Sequence, residues 1–253
     1  KKAATYISKV QNPDGGWGYE SAGGSGLRLR GTSHGSMTAA GVTALTALMA
    51  KIPADDPDLA KYAESIATGK KWMAANYDLA RIPKWGWLNI TYYPYFYLYA
   101  LSRVGVESGS AQIGRHAWQG ELLGNLVDRQ SKDGAWRIKD KDPGPNDVVH
   151  TCFALLALSN AQKPVLVSKL ISSGGSPDGG DVAALASWLG RSAKRDARWQ
   201  FVPAAASQNT FDAAPVLYMA PAADMTISEA LAAKIKTFAL RGGMVVAAVP
   251  TGD

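Results

Sequence analysis

Gln11-Asn12-Pro13-Asp14-Gly15-Gly16-Trp17-Gly18-Tyr19 is the stretch whose reading decides the fold. It closes one helix-like run and precedes another. Pro13 and the glycine pair stop a helix and supply a turn, and Trp17 sets a large apolar face beside that turn. A reduced copy stands at Gln130-Ser131-Lys132-Asp133-Gly134-Ala135-Trp136. A turn that recurs between helical segments is the mark of a repeat architecture.

Working outward, residues 3–11 have Ala3, Tyr6, Ile7 and Val10 at helical spacing. Ser36 is a plausible cap for a second helix that runs to Met49 and is rich in Ala, Gly and Thr. Asp56-Pro57-Asp58 opens a third helix reaching about Tyr77. Trp85-Gly86-Trp87 occupies the place of another Gly-Trp turn, and a fourth helix follows through Tyr95 to about Gly105. A fifth is expected from about Ile113 to Gln130, and a sixth from about Asp147 to Asn160. These six segments form three pairs. The second members end in similar apolar runs, Thr43–Leu48, Phe96–Leu101 and Phe153–Leu158. A single pair cannot bury its faces alone, so the pairs must stack, with the apolar second helices as the inner layer.

The pattern changes after Gln162-Lys163-Pro164. Short apolar strands at 165–167, 200–202, 216–219 and 244–249 alternate with helices near 181–192 and 228–240. That alternation implies a parallel α/β sheet. The expected organisation is mainly α: residues 1–162 as an α/α repeat domain, then 163–253 as a small α/β domain.

The net charge of +6 permits anionic partners, but the basic residues are scattered, so no nucleic-acid surface is expected. Cys152 is the single cysteine, which excludes an intramolecular disulfide. No apolar run reaches transmembrane length. Lys1 falls inside the first expected helix and the chain stops just after an apolar strand, so a fragment of a longer protein is expected. Its compartment stays open among soluble, envelope and secreted.

Lys2-Ala3-Ala4-Thr5-Tyr6-Ile7-Ser8-Lys9-Val10-Gln11, followed by Gly15-Gly16-Trp17, resembles the QW motif of the squalene cyclase and protein prenyltransferase superfamily. Gly69, Trp72 and Met73, and then Gln130, Gly134 and Trp136, are partial copies. Tyr77 stands where the second copy should have Gln, and Asn125 replaces the third copy's aromatic residue. The resemblance implies an α/α toroid, here about half of one. Residues 214–219, 228–229 and 240–246 more loosely resemble flavodoxin-like or amidotransferase-like domains of unknown function that follow such repeats in some bacterial proteins.

The acidic protonating motifs of the cyclases are missing from the sequence, as is the thioester motif of complement-like toroids. Asp147-Val148-Val149-His150-Thr151-Cys152 is similar to the segment carrying the zinc histidine of the prenyltransferases, which maps His150 onto that ligand. The D-x-C partner is missing, and zinc needs at least three protein ligands. His150 and Cys152 are therefore expected in the core or lining a cavity, with no metal and no cofactor. His34 and His116 are expected at the surface or as caps. The loop 172–181 is glycine-rich but lacks a phosphate-binding pattern, and Asp178 and Asp181 would repel phosphate.

Trp85, Trp87, Tyr92, Tyr95 and Tyr99, together with His150 and Cys152, are the candidate ligand-binding residues. No catalytic residue is named. The expected function is a non-catalytic binding or scaffold protein, with an apolar small molecule or a protein as partner. Two alternatives stay open: an isoprenoid-acting enzyme whose catalytic groups lie outside this fragment, and a glycan- or peptide-binding aromatic face.

Overall fold

The computed structural model describes residues 1–19, 31–53, 55–84, 93–138, 146–162, 164–171, 179–194, 197–220 and 227–248. The chain divides into two compact units, Lys1–Gln162 and Lys163–Asp253. The first is helical and the second holds a small parallel sheet.

The first unit consists of α1 (Lys2–Lys9), α2 (Gly35–Met49), α3 (Leu59–Ala75), α4 (Pro94–Glu107), α5 (Trp118–Asp128) and α6 (Asp147–Gln162). α2, α4 and α6 form one layer, with α4 packed between the other two. α1 and α3 pack on α2, and α5 packs on α4 and α6. The outer helix of each later pair therefore rests on the inner helix of the pair before it. Tyr62, Leu45, Leu98, Leu101, Trp118, Leu122 and Leu126 fill the core between the layers.

Several boundaries differ from the expectations: the strand expected at 165–167 runs to Ile171, and two helix starts move. α5 begins at Trp118 because Gly114 takes φ +62° and residues 113–116 close into a turn, with Ile113 and His116 exchanging backbone hydrogen bonds of 3.0 and 3.1 Å. α2 begins at Gly35, with His34 in extended conformation at the N-cap position, two residues earlier than Ser36 would set it.

The Gly-Trp turns are geometric twins. Gly15 and Gly134 both adopt φ +87°, which a side chain rarely tolerates. Trp17 N–H donates to Thr38 Oγ1 at 3.1 Å, and Trp136 N–H donates to Thr151 Oγ1 at 3.1 Å. The indole N–H of Trp17 reaches Ile7 O at 2.9 Å, and that of Trp136 reaches Leu126 O at 2.8 Å. These bonds place Thr38 in register with Thr151. The matching apolar ends of α2 and α6 are thus one helical turn out of step with the alignment that their composition suggests.

The Trp17 ring lies where only glycine allows it. A Cβ on Gly41 of α2 would come within 2.6 Å of the indole, and one on Gly69 of α3 within 2.7 Å. One side chain thus presses against three helices: α1 through its hydrogen bond, α2 and α3 through close packing.

The second unit consists of β1 (Val165–Ile171), α7 (Gly180–Ser192), β2 (Arg198–Pro203), α8 (Gln208–Phe211), β3 (Val216–Met219), α9 (Glu229–Leu240) and β4 (Met244–Ala247). The strands are all parallel in the order β2-β1-β3-β4. The chain steps one way from β1 to β2 and the other way from β2 through β3 to β4. Right-handed crossovers then put helices on both faces. Val167, Val182 and Ala186 form the core under α7, while Leu170, Leu217, Phe211, Leu231 and Phe238 form the core under α8 and α9. The short α8 is not among the elements that the sequence pattern predicts.

The Trp17 cradle sets a direct expectation. Gly41→Val should lower the stability of the helical unit by about 2 kcal/mol through overpacking. Denaturant unfolding followed by tryptophan fluorescence measures this. An unchanged midpoint would contradict the cradle.

Candidate functional site

The turn after α1 bonds both to the segment that leads into α2 and to α3. Gln11 Nε2 donates to Gly15 O at 2.8 Å within the turn, and to Ser65 O at 2.9 Å and Thr68 Oγ1 at 3.0 Å on α3. Asn12 Nδ2 donates to Gly31 O at 2.8 Å and to Ser33 Oγ at 2.9 Å. Ser33 in turn donates to Asp14 Oδ1 at 2.6 Å, which also accepts from Gly16 N–H at 3.1 Å. The other carboxylate oxygen accepts from the indole N–H of Trp72 at 2.9 Å. One carboxylate thus joins its own turn, the segment leading into α2 and the next outer helix.

These bonds set the charge state. Burial pushes the Asp14 carboxyl up, but the hydrogen bonds from Ser33, Gly16 and Trp72 and the Lys84 charge outweigh it, so its pKa lies below the usual value. Lys84 stands 5.6 Å over the Trp72 ring, in a left-handed backbone conformation at φ 54°. Asn12, Pro13, Asp14, Gly31, Thr32, Ser33 and Lys84 line an open cleft of about 600 Å³. Its carboxylate already accepts three hydrogen bonds, so its chemistry is that of a clamp rather than of a general acid.

The candidate residues named from sequence separate in the fold. Tyr95 is buried on α4, and its hydroxyl donates to Arg137 O at 2.9 Å. Tyr99 packs its ring 5.8 Å from Phe153 and accepts from Arg103 Nη1 at 3.2 Å. His150 is 2 % exposed, with ring centroids 5.6 Å from Tyr95 and 5.8 Å from Tyr93. Burial holds its pKa below the ordinary value, against a smaller upward pull from Asp147. Cys152 is exposed, not lining the core or a cavity as expected. Two residues apart on a helix, it faces away from His150, and the two cannot share a ligand. Among the described residues no group of three or more His, Cys, Asp or Glu could hold a metal ion. Trp85, Trp87 and Tyr92 lie outside the described residues.

His34 also departs from expectation. It is buried, not at the surface, although it does cap α2. Its Nδ1 bonds Ser36 Oγ at 3.1 Å and its ring lies 4.9 Å from that of Tyr19. His116 stacks on Tyr77 at 3.9 Å and meets Glu121 at 3.1 Å.

The sheet has its own candidate position. In a doubly wound sheet, ligands enter where the helices after neighbouring strands diverge, here between β1 and β3. Lys169 of β1 donates to both carboxylate oxygens of Asp181, at 2.7 and 2.8 Å, and lies 5.8 Å from the Tyr218 ring of β3. Asp181 sits in the first turn of α7 and accepts from Val182 N–H at 2.6 Å. A protein carboxylate thus occupies the place an anionic ligand would take at this helix start. The sequence pattern marks Asp181 as repelling phosphate and carries no signal for its pairing with Lys169.

Comparisons with protein-family models, with curated proteins and with solved structures find no match. No described helix is long and apolar enough to cross a membrane.

The buried histidines predict how stability depends on pH. Burial lowers His34 from 6.5 to about 4. As pH falls through 6.5 the unfolded chain binds a proton that the folded chain refuses until about 4. Stability is therefore complete above that window and lost within it, by about 3 kcal/mol. Urea midpoints measured across the window should fall, and less steeply in His34→Asn. Equal slopes in the two proteins would show that His34 is not held neutral.

Proposed function

We propose that this chain is a non-catalytic binding or scaffold module. Its helical unit is a partial α/α toroid of three helix pairs, of the terpenoid-cyclase and prenyltransferase type. Its second unit is a flavodoxin-like α/β module. One observation carries this reading: the polar groups of the Gln-Gly-Trp turn are engaged in joining one helix pair to the next. Gln11 and Asp14 reach α3 with three of their hydrogen bonds, and Trp17 fills the space between the pairs. The matching geometry of the turn at Gly134 supports the repeat interpretation.

The same logic applies to the residue that the resemblance would make a metal ligand. His150 lies among tyrosine rings with its Nδ1 buried and without a hydrogen-bond partner among the described residues. A ring nitrogen left unpaired costs about 1–3 kcal/mol relative to a satisfied one. His150→Phe is therefore expected to keep the fold, with a Tm equal to or above that of the parent.

Equilibrium dialysis against zinc followed by metal analysis tests the reading. Retention well below one zinc per chain is expected, unchanged in His150→Phe. One zinc per chain, lost in that variant, would overturn the non-catalytic assignment. The isoprenoid-enzyme alternative places its catalytic groups outside this fragment, the aromatic-groove alternative depends on Trp85, Trp87 and the tyrosines, and no described feature favours either.

A further inference from the structure

The first and third pairs carry the same turn but differ in what covers them. Thr5 Oγ1 and Tyr62 Oη lie 2.7 Å apart, and Ser8 Oγ and Ser65 Oγ 2.6 Å apart, so this face of α1 packs on α3. Beside it, Ala39, Val42 and Leu45 of α2 are wholly buried. Aligning Gln11 with Gln130 puts Gly124 and Val127 of α5 in the places of Thr5 and Ser8. Aligning Thr38 with Thr151 puts Cys152, Leu155 and Leu158 of α6 in the places of Ala39, Val42 and Leu45.

Of these equivalent positions Leu158 is half-buried and the others are open. Val127 is 65 % exposed and Leu155 is 52 % exposed, against none for Val42. A Cβ on Gly120 or Gly124 would meet nothing within 4 Å. Val148, Leu156 and Cys152 extend the exposed stripe along α6. Gln130 Nε2 donates to Gly134 O at 3.0 Å within its own turn, the counterpart of the bond from Gln11 to Gly15. Asp133, the counterpart of Asp14, pairs with Arg137 rather than with a following helix. α2 receives α3 and α4 receives α5, whereas no described helix of this unit stands in that relation to α6.

We propose that this flank binds the α1–α2 pair of a second copy of the chain, head to tail. The inference rests on the scaffold reading for its treatment of the pairs as interchangeable stacking units. Three observations select this occupant. Tyr6 of α1 holds the position that Trp72 holds on α3. Trp72 is buried under the preceding turn, whereas Tyr6 is 67 % exposed. The remaining face of α2 offers small residues, Ala40, Ala44 and the exposed Ala47, against the large Leu155 and Leu156 of α6. The outward rows of the two outer helices have opposite charge at the same spacing, with Lys2 and Lys9 on α1 and Glu121 and Asp128 on α5, all four exposed. After α6 the described chain continues into β1 rather than into a further helix pair.

A heterologous junction of this kind closes into a ring or propagates as a filament. Light scattering on the whole chain at up to about 100 μM, where weak association becomes visible by mass action, tests it. Concentration-dependent association is expected. Leu155→Glu on one flank and Ala47→Glu on the other should each weaken it about tenfold or more. Both substitutions fall at exposed positions, and circular dichroism checks that each variant folds. An equimolar mixture of the two variants keeps one intact junction and should recover a one-to-one complex. Alkylation of Cys152 gives a second readout: it should slow as wild-type concentration rises and stay fast in Leu155→Glu. A wild-type chain that remains monomeric would overturn the proposal. So would association that Leu155→Glu abolishes but Ala47→Glu leaves intact, since that pattern belongs to a symmetric pairing of two α6 faces. Neither result bears on zinc retention, which tests the scaffold reading separately.

Discussion

The Trp17 indole rests against backbone where α2 and α3 carry glycine, and the arrangement of the first two helix pairs depends on that contact. A large ring can lie between helices at this depth only if both lack a Cβ at the point of approach. The ring is oriented from α1 by its hydrogen bond to Ile7 O. Its backbone is fixed from α2 by Thr38. Around this apolar contact, Asn12, Ser33, Asp14 and Trp72 form one run of hydrogen bonds in which each donor has an acceptor with good geometry. Such a chain polarises its members, and it binds the second pair to the first more tightly than apolar packing alone would. The polar residues of the turn and the apolar wedge are two halves of one fastening.

The sheet obeys a different constraint. Four parallel strands need cover on both faces, and the order β2-β1-β3-β4 supplies it by sending the chain both ways from β1. Ser168 and Gln200 show what a polar residue costs inside such a sheet. Both are buried, and Gln200 Nε2 donates to Ser168 Oγ at 3.0 Å, so each meets part of the other's need. Lys169 is treated the same way through Asp181. Burial depresses the Arg198 guanidinium to about 10, a large departure for a group that is ordinarily always charged.

The architecture was legible in the sequence because it follows from periodicity and punctuation. Six helical segments, four apolar strands and a change of pattern after Gln162 are properties of residue spacing, and they require no knowledge of distant contacts. What was hidden depends on pairs far apart in the chain. Nothing local says that Ser33 will bond Asp14, that Trp72 will donate to the same carboxylate, or that Lys169 will meet Asp181. Exposure is hidden for a similar reason. The apolar composition of α6 suggests a core position for Cys152, yet among the described residues α6 buries His150, Ala154, Ala157 and Ala161 and leaves Cys152 exposed. His34 looked like a surface cap, yet Tyr19 lies against its ring. The register of α2 against α6 is hidden as well, since apolar runs slide by a turn without penalty whereas the threonine hydroxyls do not.

The stacking of the helix pairs depends on the first turn coupling the first pair to the second. A double-mutant cycle between Asp14→Ala and Trp72→Phe measures that coupling, because it cancels whatever each substitution does alone. The carboxylate and indole N–H, 2.9 Å apart across the junction, should give a coupling free energy of about 1 kcal/mol in denaturant unfolding. A coupling indistinguishable from zero, with both variants folded, would contradict the view that this turn is what joins the pairs.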